Sequence, residues 1–300
     1  MEIANQQSYY WMVRHTPQKE WIEGRGFWLW LAFVLGGMGG GLYLVSLYFD
    51  NTIGLVLGWL IVVALKGGAH LAYLGRPKRF WRAAFRWQTS WISRGILFVF
   101  GFGLFGAVQA APAILNGLPW SEEIAIIKGL AVLFSFLVMI YPGFAMGYVK
   151  AIPFWNNAVL PLLFVSYGFL GGIGLFLPLA FAGGEGEGTV AALETGLRVM
   201  LAISALLLGL YLVGVNYSSG AARVSLRALL RGSLAAPFYL GVVISGVLLP
   251  LMVSWLSVVV GLTWPLLLVG LFGELGGSFA LRYCLLKAGI YKPILLSVGQ

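Results

Sequence analysis

Lys66, His70 and Tyr73 stand at i, i+4 and i+7 in the stretch LKGGAHLAY, a spacing that puts all three on one face of a helix. An imidazole titrates near neutrality, so His70 suits a group that exchanges protons with something bound beside it. Tyr141, in the run MIYPG, closes a later apolar stretch. Glu194 and Arg198 are spaced i, i+4 in ALETGLRVM, Glu274 lies midway along the last apolar run, and Gln109 and Lys128 fall inside two others. Ionisable side chains within long apolar runs are costly, which makes each a functional candidate by default. Glu194 and Arg198 at that spacing can simply neutralise each other, whereas Glu274 has no such partner on its own helix. The alternative is a wet path that carries protons past Lys66, Gln109, Glu194, Arg198 and Glu274. The plain readings of the other two are His70 as a helix cap and Tyr141 as an interface-belt aromatic.

These residues sit in a very apolar chain. Of 300 residues 60% are hydrophobic and only 10% charged, and mean hydropathy is +0.91. Too few charges remain to solvate a soluble domain of this size, so the composition reads as an all-α integral membrane protein. Eight runs are long enough to span a bilayer: 27–49, 53–75, 93–116, 124–149, 157–182, 189–215, 236–256 and 264–287. The last two are separated by SWLSVVVGLTWP without a charge. About 26 polar and aromatic residues precede the first run, and no small-residue cleavage pattern follows it, which reads against a cleavable signal peptide. The glycines of GGMGGG (36–41) and YGFLGGIG (167–174) read as close helix packing, with approach of a flat ligand to the backbone at Gly36 and Gly40 as a second reading.

Composition also removes chemistry from this polypeptide. The single Cys284 excludes a disulfide framework, a cysteine zinc site and a cysteine-ligated iron–sulfur cluster. Haem held by two imidazoles would need both His15 and His70, and His15 lies in the polar N-terminal segment. No metal or haem is expected here. The +9 net charge lies beside the spans and needs no nucleic acid to explain it.

Charge alternates from one connection to the next. Arg14, Lys19 and Arg25 precede the first span; Arg76, Lys78, Arg79, Arg82, Arg86 and Arg94 crowd the second-to-third connection; Lys150, then Arg223, Arg227 and Arg231, then Arg282, Lys287 and Lys292 follow. The opposite connections carry Asp50, Glu122 with Glu123, and Glu185 with Glu187. Positive-inside bias places both termini and the basic connections in the cytoplasm. Arg79, Arg82 and Arg86 would share one face of an α-helix, a surface for anionic lipid heads or an acidic partner, with Trp81, Trp87 and Trp91 as interfacial anchors.

Several motifs then form an ordered set. YLGRPKRFW (Tyr73–Trp81) followed by TSWISRG (Thr89–Gly95) is similar to the second-to-third helix connection of the NrfD/polysulfide-reductase membrane-subunit family. Tyr141-Pro142-Gly143, Pro153-Phe154-Trp155-Asn156, Leu197-Arg198-Val199, Leu281-Arg282-Tyr283 and Ala288-Gly289 continue the resemblance, which covers about residues 27 to 290.

The resemblance implies two four-helix bundles, 27–149 and 150–300, after a polar N-terminal segment 1–26. It implies a haem-free membrane subunit that binds menaquinone or ubiquinone in the first bundle. Its partners would be a ferredoxin-like subunit with 4Fe–4S clusters and a molybdenum or tungsten bis-pterin (molybdopterin) catalytic subunit. Tyr141 matches the family's quinone-site tyrosine, and Tyr141 with His70 would hold the ring oxygens as catalytic groups. Tyr73, Trp28, Gly36 and Gly40 complete the expected quinone site, and Arg76, Arg79, Arg82, Arg86 and Arg94 the partner-docking rim. The sequence departs from the pattern twice. Relatives often carry His where Tyr73 stands, and relatives of the polysulfide-reductase type carry Asn and His near the positions of Trp28 and Ala32. Two other classes remain as readings: an ion or small-solute transporter, for which no inverted repeat is visible, and a purely structural membrane anchor.

Overall fold

A computed structural model describes residues 14–115, 118 and 124–294. Eight helices are long and apolar enough to cross a membrane: α1 Gly26–Tyr48, α2 Thr52–Tyr73, α3 Trp91–Ile114, α4 Ala125–Gly147, α5 Val159–Ala182, α6 Glu187–Ser218, α8 Pro237–Val260 and α9 Trp264–Lys287. Between α6 and α8 lies a short amphipathic helix, α7 Gly220–Arg231. The protein is an all-α, multi-pass membrane protein, and the sequence-derived spans fall on these helices to within a few residues. Glu122 and Glu123, part of the charge pattern, lie outside the described residues.

Local chemistry sets the ends of the helices. Asp50 turns the backbone at φ 52°, and the Asn51 side chain then accepts from Gly54 N to start α2. Ser90 does the same for α3 through Ser93 N, and Ser219 for α7 through Ala222 N. The uncharged connection before α9 is resolved by Gly261 at φ +80°, a conformation open to glycine at little cost.

Two helices do not run as α throughout. α2 widens to a π-helix over Ile61–Lys66, and α8 does so over Pro237–Leu248. The basic connection Pro77–Arg86 is a 3-10 helix rather than an α-helix. With three residues per turn, Arg76, Arg79 and Arg82 form one row, while Arg86 falls in the row of Phe80 and Ala83. The single α-helical face expected for Arg79, Arg82 and Arg86 is therefore absent.

α1 is the hub. It packs against α2, α4, α5 and α9; its contact with α2 is the broadest, and that with α5, the next, crosses between the two expected bundles. Glycines make that approach possible. A Cβ at Gly41 would lie 2.0 Å from Gly168 O, and one at Gly172 would lie 2.3 Å from the Gly41 carbonyl carbon. Lipid offers no hydrophobic drive between helices, so such backbone-to-backbone contact carries the association. Both glycine runs thus serve helix packing.

At the basic end of the bundle the segment before α1 is tied to the segment after α9. Thr16–Pro17 (β1) pairs antiparallel with Ile290–Tyr291 (β2). Gln18 Nε2 donates to Leu286 O, and Lys287 forms an ion pair with Glu23. That lysine lowers the Glu23 carboxyl below its usual range. Trp155 Nε1 donates to Leu285 O at 2.7 Å and its ring lies 5.0 Å from that of Trp21.

Gly172→Ala should destabilise the solubilised full-length protein by about 1–3 kcal/mol, the usual range for an overpacked contact. Gly209→Ala, whose Cβ meets nothing within 4 Å, should leave it unchanged or slightly more stable; thermal unfolding in detergent compares the two.

Candidate functional site

A cavity of about 780 Å³ opens among the first four spans. α1 lines it with Leu29 and Phe33, α2 with Trp59, Lys66, His70 and Tyr73, α3 with Gly95 and Phe100, and α4 with Tyr141 and Ala145. Trp21, from the N-terminal segment, and Phe80 and Ala83, from the 3-10 helix, border it at the basic end. The wall is largely apolar. Leu71, Ile92, Phe100 and Leu104 line it and are also exposed on the helix surface, so it opens sideways between α2 and α3.

One wall carries a closed polar cluster. Lys66, only 1% exposed, donates from Nζ to Tyr141 Oη at 2.8 Å. Tyr141 Oη lies 3.2 Å from His70 Nε2, and His70 Nδ1 lies 3.2 Å from the Lys66 carbonyl. A carbonyl only accepts, so Nδ1 carries the imidazole proton and Nε2 accepts from the tyrosine hydroxyl. The three side chains thus close a loop in which every bond has one donor.

Glycines hold that loop in place. A Cβ at Gly95 would lie 2.4 Å from Tyr141 Cε2, so the phenol ring rests directly on the α3 backbone. A Cβ at Gly36 would lie 2.5 Å from Lys66 Cε, so the lysine stem occupies the notch that Gly36 leaves in α1. Beside the cluster, a Cβ at Gly68 would meet nothing within 4 Å, and one at Gly67 only a carbonyl at 3.9 Å. That open space faces the cavity. Phe33 and Phe98 flank His70 and Tyr141, with ring centroids 6.5 and 6.4 Å away.

The structure redistributes the residues singled out from the sequence. His70, Tyr141, Tyr73 and Lys66 all line the cavity. Gly36 and Gly40 do not: Gly36 seats Lys66, and Gly40 faces Met139 and Ser135. Trp28 is exposed and stacks edge-on with Phe27, while Trp21, one turn before the span, takes the place at the cavity mouth. Gln109 accepts from Tyr43 at 2.7 Å and is separated from the Tyr141 level by the fourteen residues after Gly95, about 21 Å of helix.

In the second half, Arg198 and Glu194 do not pair with each other. Arg198 donates to Ser254 O and Oγ and to Thr195 Oγ1, and Glu194 bonds to Ser257 on α8. A narrow cavity of about 20 Å³, room for one water, lies against Glu194, Ser254 and Glu274. Glu274 is 5% exposed, and its Oε2 has no hydrogen-bond partner among the described residues.

Arg94 differs from the other basic residues of its segment. Its guanidinium donates to Trp87 O and Gln88 O at 2.9 and 2.8 Å and lies 4.5 Å from the Trp91 ring. It pins the turn before α3 and is spent within the protein, whereas Arg76, Lys78, Arg79, Arg82 and Arg86 are exposed.

Gly67, Gly68, Gly95, Phe33 and Trp21 were missed by sequence reasoning. Gly95 ends the TSWISRG motif, so the signal for it was present; nothing in a single sequence told the others apart from ordinary packing residues.

Residues 25–293 match the family model described as "Polysulphide reductase, NrfD". Among curated proteins the sequence is 28% identical to a protein NrfD homolog of Haemophilus influenzae, covering 92% of this chain and 96% of that protein. It is 27% identical to a polypeptide of the polysulfide reductase of Wolinella succinogenes, over 79% of this chain and 82% of that one. It is also 27% identical to a subunit of the sulfite dehydrogenase of Allochromatium vinosum, over 52% and 50%.

If the lysine–tyrosine bond is as strong as its burial implies, Lys66→Met and Tyr141→Phe should be non-additive. A double-mutant cycle on unfolding of the full-length protein should give a coupling of about 0.5–3 kcal/mol; additive losses would separate the two groups.

Proposed function

Because the chain belongs to the NrfD polysulphide-reductase family, we propose that it is a membrane subunit of an oxidoreductase complex whose cavity takes a quinone or quinol. The observation that carries this reading is the Tyr141–His70–Lys66 cluster on the wall of a large apolar cavity that opens toward the lipid. About 780 Å³ suits a flat ring with part of an isoprenoid tail. The side opening between α2 and α3 gives a lipid-soluble molecule, menaquinone or ubiquinone, a route that avoids water.

The bound quinone supplies a couple of two electrons and two protons. The protein's own groups handle only the protons. The Tyr141 hydroxyl and the His70 ring lie side by side on the wall that Gly67 and Gly68 leave open, so a ring bound against that wall would sit beside both. Phe33, Trp59 and Phe100 exclude water around that point, which strengthens the hydrogen bonds made there.

Electrons need a neighbour. A ferredoxin-like partner with 4Fe–4S clusters, connected to a molybdenum or tungsten bis-pterin subunit, would seat on the 3-10 helix with its exposed Arg76, Lys78, Arg79, Arg82 and Arg86. The inner side of that helix, at Phe80 and Ala83, borders the cavity, so a partner docked there lies close to the ring. The unpartnered Oε2 of Glu274 favours one addition: protons cross the second half of the protein past Glu194 and Glu274, in step with quinone turnover.

In the assembled complex, Tyr141→Phe should lower quinone-coupled turnover about 100-fold or more, while dye-coupled activity of the catalytic partner stays intact. Gly68→Leu, which pushes a side chain into the open space, should block quinone turnover with the same dye activity retained. Unchanged quinone rates in both variants would remove this cavity from the reaction. Glu274→Gln in proteoliposomes should abolish proton movement coupled to turnover; a complex that moves no protons across the membrane would end that part of the proposal.

A further inference from the structure

Two buried cations meet the same turn of α1. Lys66 lies against Gly36, and a Cβ at Gly37 would lie 2.6 Å from Arg282 Nη2 of α9. Both residues are 1% exposed. Among the described residues neither cation has a carboxylate within 4 Å, in contrast to Lys287 with its Glu23. Arg282 donates from Nη1 to Ser278 O and Oγ at 3.2 and 2.5 Å. Its Nε and Nη2 have no partner among the described residues, and its guanidinium lies 5.3 Å from the Phe164 ring. With glycine at both positions, α1 makes room for both side chains on adjacent residues of one turn.

Among the described residues neither cation has a carboxylate beside it to offset the hydration lost on burial, so holding both charges here is costly. Arginine keeps its proton under any condition the protein meets, whereas a buried lysine can release one. The releasing group must therefore be Lys66. The hydrogen bonds around it already give a direction, from Lys66 Nζ to Tyr141 Oη and from Tyr141 Oη to His70 Nε2.

Resting on the quinone reading above, we infer that Lys66 is the proton store of the site, loading His70 through Tyr141. In the step, one N–H bond of the Lys66 ammonium breaks as an O–H bond forms on the tyrosine oxygen. The tyrosine's original O–H bond breaks as an N–H bond forms at His70 Nε2. The products are a neutral amine, an unchanged phenol and an imidazolium facing the cavity; no electron moves, and the reverse step returns the proton. Lys66 has no carboxylate within 4 Å among the described residues, which keeps the store ready to release. Of the other titratable or charged groups on the elements around Lys66, Tyr43 of α1 bonds to Gln109 and Arg94 of α3 bonds to the Trp87 and Gln88 carbonyls. Tyr73 of α2 lines the cavity beyond His70, Tyr48 of α1 is exposed, and Lys128 lies at the opposite end of α4 from Tyr141.

The test uses the full-length protein in its complex, with Lys66→Met and Lys66→Gln. Glutamine can still donate an N–H to Tyr141 but holds no exchangeable charge. Three readouts are taken: affinity for a labelled quinone-site inhibitor, rate of quinone reduction, and its pH profile. The expected result is inhibitor affinity within about twofold in both variants, rates at least tenfold lower, and a wild-type alkaline decline that is absent from both. A glutamine variant with wild-type rate and profile, or an alkaline decline that persists in the methionine variant, overturns the inference and reduces Lys66 to a positioning group for Tyr141. Failure of the wild-type complex to bind the inhibitor overturns the quinone reading and this inference with it, so the two failures are told apart by the binding measurement alone.

Discussion

The closeness of α1 to its neighbours is the constraint on which the rest depends. In lipid, helices gain nothing by hiding apolar surface from one another, so association rests on atomic contact, and contact is closest where side chains are missing. The run Gly36–Gly41 supplies that closeness on several sides of one helix. Gly41 meets the α5 backbone, Gly40 meets Met139 of α4, Gly37 receives Arg282 of α9 and Gly36 receives the stem of Lys66. A helix with ordinary side chains there could not serve as hub to four others. Nor could it leave room for two long cationic side chains to be buried.

Burial of those cations explains the form of the site. A lysine at membrane depth is expensive unless it reaches water or an acceptor. Lys66 bends along the Gly36 notch to the Tyr141 oxygen, and Tyr141 is in turn held flat by Gly95. Two absent side chains, on α1 and α3, thus position two present ones, on α2 and α4. The cavity follows from the same economy of atoms, since Gly67 and Gly68 leave the space in front of His70 unfilled.

Much of this was legible from residue order. Hydropathy alone located the eight spans, and the i, i+4, i+7 spacing of Lys66, His70 and Tyr73 put them on one wall of what proves to be a cavity. The motif YPG pointed to Tyr141 before any geometry was known. What stayed hidden has a common cause: sequence spacing describes one helix at a time, whereas these outcomes were decided between helices. Glu194 and Arg198 have the spacing of an ion pair, yet Ser254 and Ser257 of α8 lie close enough to take each of them separately. Gly36 and Gly40 have the small surface that a flat ligand needs, but neighbouring helices reach that surface first. Arg94 reads as one more charge in a basic run until the carbonyls of Trp87 and Gln88 appear beside it. For Arg76–Arg86 the error was in the helix type, and a change from 3.6 to three residues per turn moved Arg86 to another row.

The π-helical turns show how register was adjusted to reach this arrangement. A π turn holds more than four residues, so each one inserted rotates everything beyond it relative to the preceding α-helix. In α2 the widened stretch Ile61–Lys66 separates Leu55 and Trp59, which pack within the first four spans, from Lys66 and His70. On an uninterrupted α-helix Leu55, Trp59, Lys66 and His70 would all fall within about 60° of one another, so the widened stretch turns Lys66 and His70 away from the line of Leu55 and Trp59. The helix thereby packs Leu55 and Trp59 along one line and presents Lys66 and His70 to Tyr141 along another. α8 repeats the device: its π stretch buries Phe238, Val242 and Gly246 at intervals of four, and the α-helix that follows then presents Ser254 and Ser257 to Arg198 and Glu194. Each half of the protein thus places its polar cluster at or just beyond the end of a widened turn. Loss of either turn would rotate that cluster out of contact while leaving the span equally hydrophobic. The register of α2 and α8, rather than their hydrophobicity, is what the polar chemistry depends on.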